Sequence, residues 1–317
     1  MRLNITPNIY INKANENWII DRLRSEWIEH GNPYSKFLYF SNLIWVIAPW
    51  SQNKNLYNRK GNKKLICSIY HIDEEKFNLS EIEKFKKRDE FVDAYHVISE
   101  NSKKQVSKYT QKKIFSIPFW INNDLWFPIQ NKSKLRKKYK ISDDAFLIGS
   151  FQRDTEGSDL KSPKLSKGPD RYIEIAKQLK KENKNLHVLL AGKRRQYIIS
   201  KLKENKIEFT YFEMVSNKDL NELYNCLDLY IVTSRVEGGP QAIFESALTK
   251  TPIISTSVGV APEILHKRSL FDMENFKKAV PDVEFAFENA KKFTIPLGFS
   301  EFNKMFNDVL NDDDSKK

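Results

Sequence analysis

The sequence predicts an α/β protein made of two Rossmann-like, doubly wound parallel-sheet domains. Three observations carry that prediction. Short runs such as Leu65-Ile-Cys-Ser-Ile-Tyr70 and Ala145-Phe-Leu-Ile-Gly-Ser150 are apolar along nearly their whole length rather than alternating. Such runs mark strands covered on both faces, the condition of a parallel sheet. Segments of helical periodicity separate the runs, and strand–helix alternation is the pattern of βαβ units. The alternation occurs twice, on either side of a break near residues 125–145.

In chain order, Leu3–Ile5 is predicted as a first strand and Trp18–Glu29 as an amphipathic helix. Phe37–Phe40 and Leu43–Ile47 read as strands. Leu65–Tyr70 is a buried strand followed directly by His71. Ala94–Ser99 is the next strand, Ser102–Tyr109 a helix and Lys113–Ile117 a last strand, after which Ser116-Ile-Pro-Phe-Trp-Ile-Asn-Asn-Asp124 leads out. The second half opens with the strand Ala145–Ser150. The polar stretch Asp154–Ser166 is expected to be a mobile loop. Helix Asp170–Lys180, strands Leu186–Leu190 and Ile207–Phe212, helix Asn217–Tyr224 and strand Leu227–Val232 follow. Glu301–Leu310 has helical spacing at Phe302, Met305, Phe306 and Leu310, and Asp312–Lys317 is expected to fray.

A chain of 317 residues with 40% hydrophobic and 13% aromatic content can bury two sizeable cores. Cys67 and Cys226 lie in apolar segments without metal-ligand or disulfide spacing, and read as reduced core thiols of a cytoplasmic protein. The N-terminal Met-Arg-Leu-Asn-Ile-Thr-Pro lacks the apolar stretch of a signal peptide. The longest largely apolar run, Phe37–Trp50, is interrupted by Ser41, Asn42 and Pro49 and is too short to span a bilayer. Net charge is +12, with clusters at Lys84-Phe-Lys-Lys-Arg88, at Lys103-Lys104 with Lys108, Lys112 and Lys113, and at Lys134-Leu-Arg-Lys-Lys138 with Lys140. These fit solvated lysine faces, or a peripheral contact with an anionic membrane at its inner face. No nucleic-acid-binding module appears, so nucleic acid is not expected as a partner. No GxGxxG occurs, and a dinucleotide enzyme lacks its fingerprint.

Three constellations carry chemistry. Glu237-Gly-Gly-Pro-Gln-Ala-Ile-Phe-Glu245 follows a buried strand. Pro240 suits the first position of a helix, and a helix N-terminus with its unpaired N–H groups favours phosphate. Gly238 and Gly239 allow a ligand close to the backbone. Glu237 and Glu245 can each accept a pair of hydroxyls. Ser150-Phe-Gln-Arg153 is followed, fourteen residues later, by Lys167-Gly168-Pro169, a pair of cations at the start of a helix. Lys161 and Lys164 compete for the lysine position, but only Lys167 precedes glycine. His71 ends a buried strand, where ligands bind in open α/β sheets.

With Leu223-Tyr-Asn-Cys-Leu-Asp228 upstream, and Thr251-Pro-Ile-Ile-Ser255 and Ser257-Val-Gly-Val-Ala-Pro-Glu263 downstream, the first constellation resembles the E-x7-E signature of retaining GT-B glycosyltransferases of family 4, the glycosyl transferases group 1 type. The resemblance implies an N-terminal, acceptor-side domain of residues 1–125 and a donor domain of residues 126–298 facing it across a cleft. It also implies a C-terminal helix, 299–311, returning to the first domain. It assigns Arg153 and Lys167 to the donor diphosphate, Glu245 to the ribose and Glu237 to the donor sugar. Gly238, Gly239, Pro240 and Gln241 form the donor-binding turn, and His71 sits near the reacting carbon. Ser257, Gly259 and Glu263 belong to the neighbouring loop. The implied reaction is metal-independent hexosyl transfer, with retention, from a UDP- or GDP-type sugar to a glycan or lipid-linked acceptor in polysaccharide biosynthesis. No metal or other cofactor is expected: no Asp-x-Asp metal motif stands in a suitable place, and Asp312-Asp-Asp314 lies in the tail. The sequence departs from the family at Gly239, Val260 and Thr6-Pro-Asn-Ile-Tyr10, the last standing where relatives carry a Gly-Gly loop. Two alternatives share the fold: a donor-binding subunit without transfer activity, and a nucleotide-sugar 2-epimerase using Asp73, Glu74 or Glu75.

Overall fold

Parallel pairing organises both halves of the chain. The structure, a computed structural model, describes residues 5–16, 19–51 and 55–312. It forms two compact units, Met1–Trp120 with Ile295–Lys317, and Ile121–Thr294. The divide precedes the expected 125/126 because Ile121 is already bound into the second unit. Its N–H donates to Phe293 O at 2.9 Å, and Ile121 bridges Thr294 in parallel.

Unit 1 contains β1 (Ile9–Ile11), α1 (Ile19–Glu29), β2 (Leu43–Val46), α2 (Asn55–Asn58), β3 (Lys64–Ile69), α3 (Leu79–Asp89), β4 (Ala94–Val97), α4 (Glu100–Val106) and β5 (Lys113–Ser116). The strands are parallel throughout and run in the order β1-β2-β3-β4-β5. One face packs under α1 through Leu23 and Trp27; the other packs under α3 and α4 through Phe85 and Val106. The first strand is Ile9–Ile11, not Leu3–Ile5: Leu3 lies outside the described residues and Ile5 is not in a strand. Trp18, the expected helix start, also lies outside them.

The expected strand Phe37–Phe40 is instead a 3-10 turn, Leu38–Phe40. Ser35 and Ser41 explain the difference. Their hydroxyls donate to Phe37 O and Leu38 O at 2.8 Å, occupying carbonyls that a strand would offer to a neighbour.

Unit 2 contains α5 (Lys132–Lys138), β6 (Phe146–Ser150), β7 (Thr155–Glu156), β8 (Ser162–Pro163), α6 (Pro169–Glu182), β9 (Leu186–Ala191), α7 (Gln196–Glu204), β10 (Glu208–Phe212), α8 (Asn217–Cys226), β11 (Leu229–Val232), α9 (Gln241–Leu248), β12 (Ile253–Thr256), α10 (Ala261–Ile264), β13 (Leu270–Phe271) and α11 (Val283–Lys291). Its six-stranded sheet has the order β10-β9-β6-β11-β12-β13. The chain works outward from β6 in one direction, then restarts beside it at β11. That reversal is a topological switch point, where open α/β sheets bind ligands beyond the strand ends. The chain then returns to unit 1 as α12 (Ser300–Asn311), which buries Phe302, Met305 and Phe306 against Trp27, Trp45 and Trp120.

The expected mobile loop is a hairpin: β7 and β8 pair antiparallel, and Gly157 turns the chain at φ +77°. Asp159 accepts the N–H groups of Lys161 and Ser162 at 3.1 and 3.4 Å. Such local side-chain caps leave no periodic trace in a sequence. Several members of the basic clusters are in internal pairs. Arg136 is buried and donates to Asp228 at 2.7 Å, Lys138 pairs with Glu222, and Lys108 pairs with Glu74 at 2.6 Å. Burial pushes the thiols of Cys67 and Cys226 up, to about 11 and about 12. Among the described residues no helix is long and apolar enough to cross a membrane.

Candidate active site

Three loops meet beyond the switch point of unit 2, and two glycines force the meeting. Gly168 sits at φ +63°, and a Cβ there would stand 1.9 Å from Thr233 O. Thr233 returns the contact by donating its hydroxyl to Gly168 O at 2.8 Å. Gly259, at φ +52°, would place a Cβ 2.3 Å from Gly238 O. Backbone therefore touches backbone at both places, and a left-handed φ adds a second reason for glycine. The Lys167 turn, the Glu237 loop and the Gly259 loop are thereby set side by side.

Lys167 and Glu237 form an ion pair across this junction. Ser234 donates to the same Glu237 Oε1 at 3.2 Å, and Gln152 Nε2 holds Lys167 O at 3.1 Å. Arg235 forks onto Asp170 with two bonds of 2.7 and 2.6 Å, and its donors hold that carboxyl below the usual range. The N–H groups of Arg235 and Val236 both donate to Ser166 O, at 2.8 and 3.1 Å. Arg153 is half-buried and donates Nε–H to Thr155 O at 3.0 Å. Half-buried Lys164 joins these cations. Burial, then the charges of Lys167 and Arg153, pull its ammonium below the usual range. Of the three, among the described residues, only Lys167 is in an ion pair.

Pro240 caps α9 instead of opening it: its ψ is 114°, its carbonyl accepts from Ile243 N at 3.0 Å, and the helix begins at Gln241. The buried Oε1 of Gln241 has no hydrogen-bond partner among the described residues. Glu245 is 6% exposed and accepts from Tyr224 Oη at 2.9 Å. Tyr224 packs on Phe151 and Tyr230 with ring centroids 4.8 and 5.2 Å apart, and Phe151 N–H donates to Tyr230 Oη at 3.0 Å. This tyrosine pair ties Glu245 to the end of β6. Ser257 is exposed beside the junction, and Glu263 lies in the short α10.

Sequence reasoning missed the support under Arg153. Arg195 is fully buried and reaches Asp154 at 2.5 Å, Ser150 O at 2.6 Å and Ala191 O at 2.8 Å. It thus joins the ends of β6 and β9. Thr155 Oγ1 accepts from Tyr197 N at 2.9 Å, fixing the start of α7. In the sequence Arg195 sits in Lys193-Arg-Arg195, which looks like any exposed basic run.

The structure therefore brings Arg153, Lys167, Glu237, Gly238, Gly239, Pro240, Gln241 and Glu245 to one edge of unit 2. His71 belongs to unit 1. It is exposed at the C-terminal end of β3 and lines a cavity of about 810 Å³ with Trp50, Tyr70 and Arg88. Of the acids after it, Glu74 is paired with Lys108 at 2.6 Å, and Asp73 lies 3.9 Å from Lys76. Among the described residues no group of three His, Cys, Asp or Glu side chains is arranged to hold a metal.

Residues 161–293 match the family described as Glycosyl transferases group 1. The O-antigen biosynthesis glycosyltransferase WclY of Escherichia coli is 25% identical over 164 residues. That match spans 51% of this chain and 43% of the relative, somewhat under half its length. HepE of Anabaena, solved in complex with UDP, superposes with a TM-score of 0.72 over 94% of this chain and 98% of that one, at 14% identity. Sucrose-phosphate synthase of Thermosynechococcus elongatus superposes with a TM-score of 0.68 over 92% of this chain and 77% of that one, at 13% identity. Residues 161–293 of the second unit are thus similar to the glycosyl transferases group 1 family, and the fold is that of the GT-B glycosyltransferases.

Proposed function

We propose that the protein transfers a hexose from a nucleoside-diphosphate sugar to a glycan or lipid-linked acceptor during assembly of a cell-surface polysaccharide. The reaction runs on the cytoplasmic side of the membrane, with retention and without a metal. The observation that carries this reading is the crowding of Arg153, Lys164 and Lys167 at the switch point, where Glu237 pairs with Lys167 and Glu156 also lies near Lys164. Like charges held together in a partly dry site are costly until an anion joins them. A diphosphate supplies that anion. As the sugar–phosphate bond breaks, charge grows on the leaving oxygen, and fixed cations stabilise it. Arg153 offers a planar fork, and the lysines offer compact charges.

When the diphosphate takes Lys167, Glu237 is released to accept donor-sugar hydroxyls. Glu245, held by Tyr224, is the acceptor for the ribose diol. The unpartnered Gln241 Oε1 and the first turn of α9 lie at the same edge. UDP leads the candidate bases because HepE was solved with UDP and with UDP-glucose, and GDP follows. WclY supports a polysaccharide acceptor.

The test is a melting-temperature panel with UDP, GDP, ADP and CMP, with and without magnesium. Ligand that binds only the folded state raises the midpoint by mass action, adding about 2.7 kcal/mol of stability at a hundredfold excess over Kd. One nucleoside diphosphate is expected to raise it without magnesium. Lys167→Ala and Glu245→Gln should each remove most of the rise, and the glutamine still accepts from Tyr224. No rise with any nucleotide, or full response in both variants, overturns the site.

A further inference from the structure

The turn before β2 displays three aromatic side chains to solvent. Phe37 is 57% exposed, Tyr39 83% and Phe40 66%. Single exposed apolar residues are ordinary, but a contiguous group held rigidly outward is not. This group is held. Ser35 N–H donates to Ile9 O at 2.7 Å, and the Ser35 and Ser41 hydroxyls clamp Phe37 O and Leu38 O. Asn8 Nδ2 donates to Phe40 O at 2.8 Å, and Asn42 Oδ1 accepts from Asn8 N at 2.8 Å. Leu38 alone turns inward, against the core under α3 and α4. The rings steady one another, with Tyr39 and Phe40 5.2 Å apart and edge-on.

Positive charge borders the group. Lys36 Nζ stands 5.7 Å from the centre of the Phe37 ring. Lys64 N–H donates to Asn42 O at 3.1 Å, so the start of β3 adjoins the turn. That start is preceded by Arg59, Lys60 and Lys63; Lys60 is neutralised by Asp93 at 2.7 Å, while Arg59 is exposed. Because every strand of the sheet is parallel, the turn and this basic run share the N-terminal edge, opposite the edge that carries His71.

We propose that this edge of unit 1 docks on an anionic membrane, with Phe37, Tyr39 and Phe40 entering the headgroup boundary and Lys36, Arg59 and Lys63 meeting lipid phosphates. The chemistry is that of an interfacial anchor: rings with apolar bodies at the boundary, cations among the headgroups. A membrane suits the edge better than a protein groove. Lys36 stands against the Phe37 ring, Arg59 and Lys63 precede β3 at the same edge, and the chain carries a net +12. The inference is independent of the transfer reaction, and its test needs no nucleotide.

The test is co-sedimentation with phosphatidylglycerol–phosphatidylcholine vesicles and with pure phosphatidylcholine vesicles. Binding to the anionic vesicles alone, weakened by salt, is expected. The triple variant Phe37→Ser, Tyr39→Ser, Phe40→Ser should bind at least about ten-fold more weakly while melting like the parent. Lys36→Glu and Lys63→Glu should each cost about five-fold or more, the effect of one basic side chain near a charged surface. Failure of the parent to bind anionic vesicles overturns the proposal. So does undiminished binding by the triple variant. Self-association of the parent that the triple variant abolishes also overturns it, by assigning the surface to a second copy of the chain.

Discussion

At the scale of single residues, His96 shows how burial decides a side chain's role. It is completely buried in unit 1, between Ser68 Oγ at 2.9 Å from Nδ1 and Ile117 O at 2.8 Å from Nε2. Trp45 Nε1–H donates to the same Ser68 hydroxyl at 2.9 Å, so that oxygen's proton points at Nδ1 and the Nε2–H at the carbonyl. The ring is neutral, and burial lowers its pKa from 6.5 to about 4. Between those values the unfolded chain holds a proton that the native protein does not. Stability therefore falls as pH drops through that window and levels off below the lower value. From pH 7 to pH 5 the loss assigned to this ring is about 2 kcal/mol. Urea denaturation of His96→Gln at both values should show a pH slope smaller by that amount; an equal slope would remove His96 from the account. His71, by contrast, stands exposed at a strand end, where sequence position alone announced it.

At the scale of elements, the junction at the switch point rests on loops rather than on helices. Gly168→Ala puts a methyl into Thr233 O and a left-handed φ on an ordinary residue. The conformation alone costs roughly 1–2 kcal/mol. Nucleotide affinity should fall about ten-fold or more as the Lys167 turn moves off Glu237, tenfold being about 1.4 kcal/mol. Titration calorimetry checks this, and unchanged affinity would mean that Lys167 needs no such seat.

What the sequence disclosed about these elements follows from what periodicity can and cannot encode. The apolar runs at Leu65 and Ala145, and the Glu237–Glu245 block, were legible because burial on two faces and glycine turns leave marks in consecutive residues. The hairpin of β7 and β8, the Phe37–Phe40 turn and the Arg195–Asp154 pair were not. Each depends on a hydroxyl, carboxylate or guanidinium finding a backbone or side-chain partner that the local pattern does not name. The partners of Arg136 and Lys138 were hidden for the same reason, since Asp228 and Glu222 answer them from far along the chain.

At the scale of the whole molecule, α12 decides the integrity of unit 1. Phe302 is fully buried, edge-on to Trp120 at 5.1 Å and tilted against His96 at 5.0 Å. Phe302→Ala should cost about 3–5 kcal/mol. Because the helix belongs to unit 1, calorimetry should show that unit melting earlier while a nucleotide-responsive transition persists; loss of both together would show the units to be one cooperative block. The connectivity has a mechanical meaning as well. Ile5 N–H bonds Asn311 Oδ1 at 3.3 Å, so the two described ends of unit 1 are tied to each other. The whole of unit 2 hangs between Ile121 and Thr294, which are bridged side by side. Tension applied at Ile5 and Asn311 would load β1 and α12 first and reach unit 2 only after unit 1 had torn. Unit 2 would behave as a slack loop, closed at its neck, while its host bore the strain.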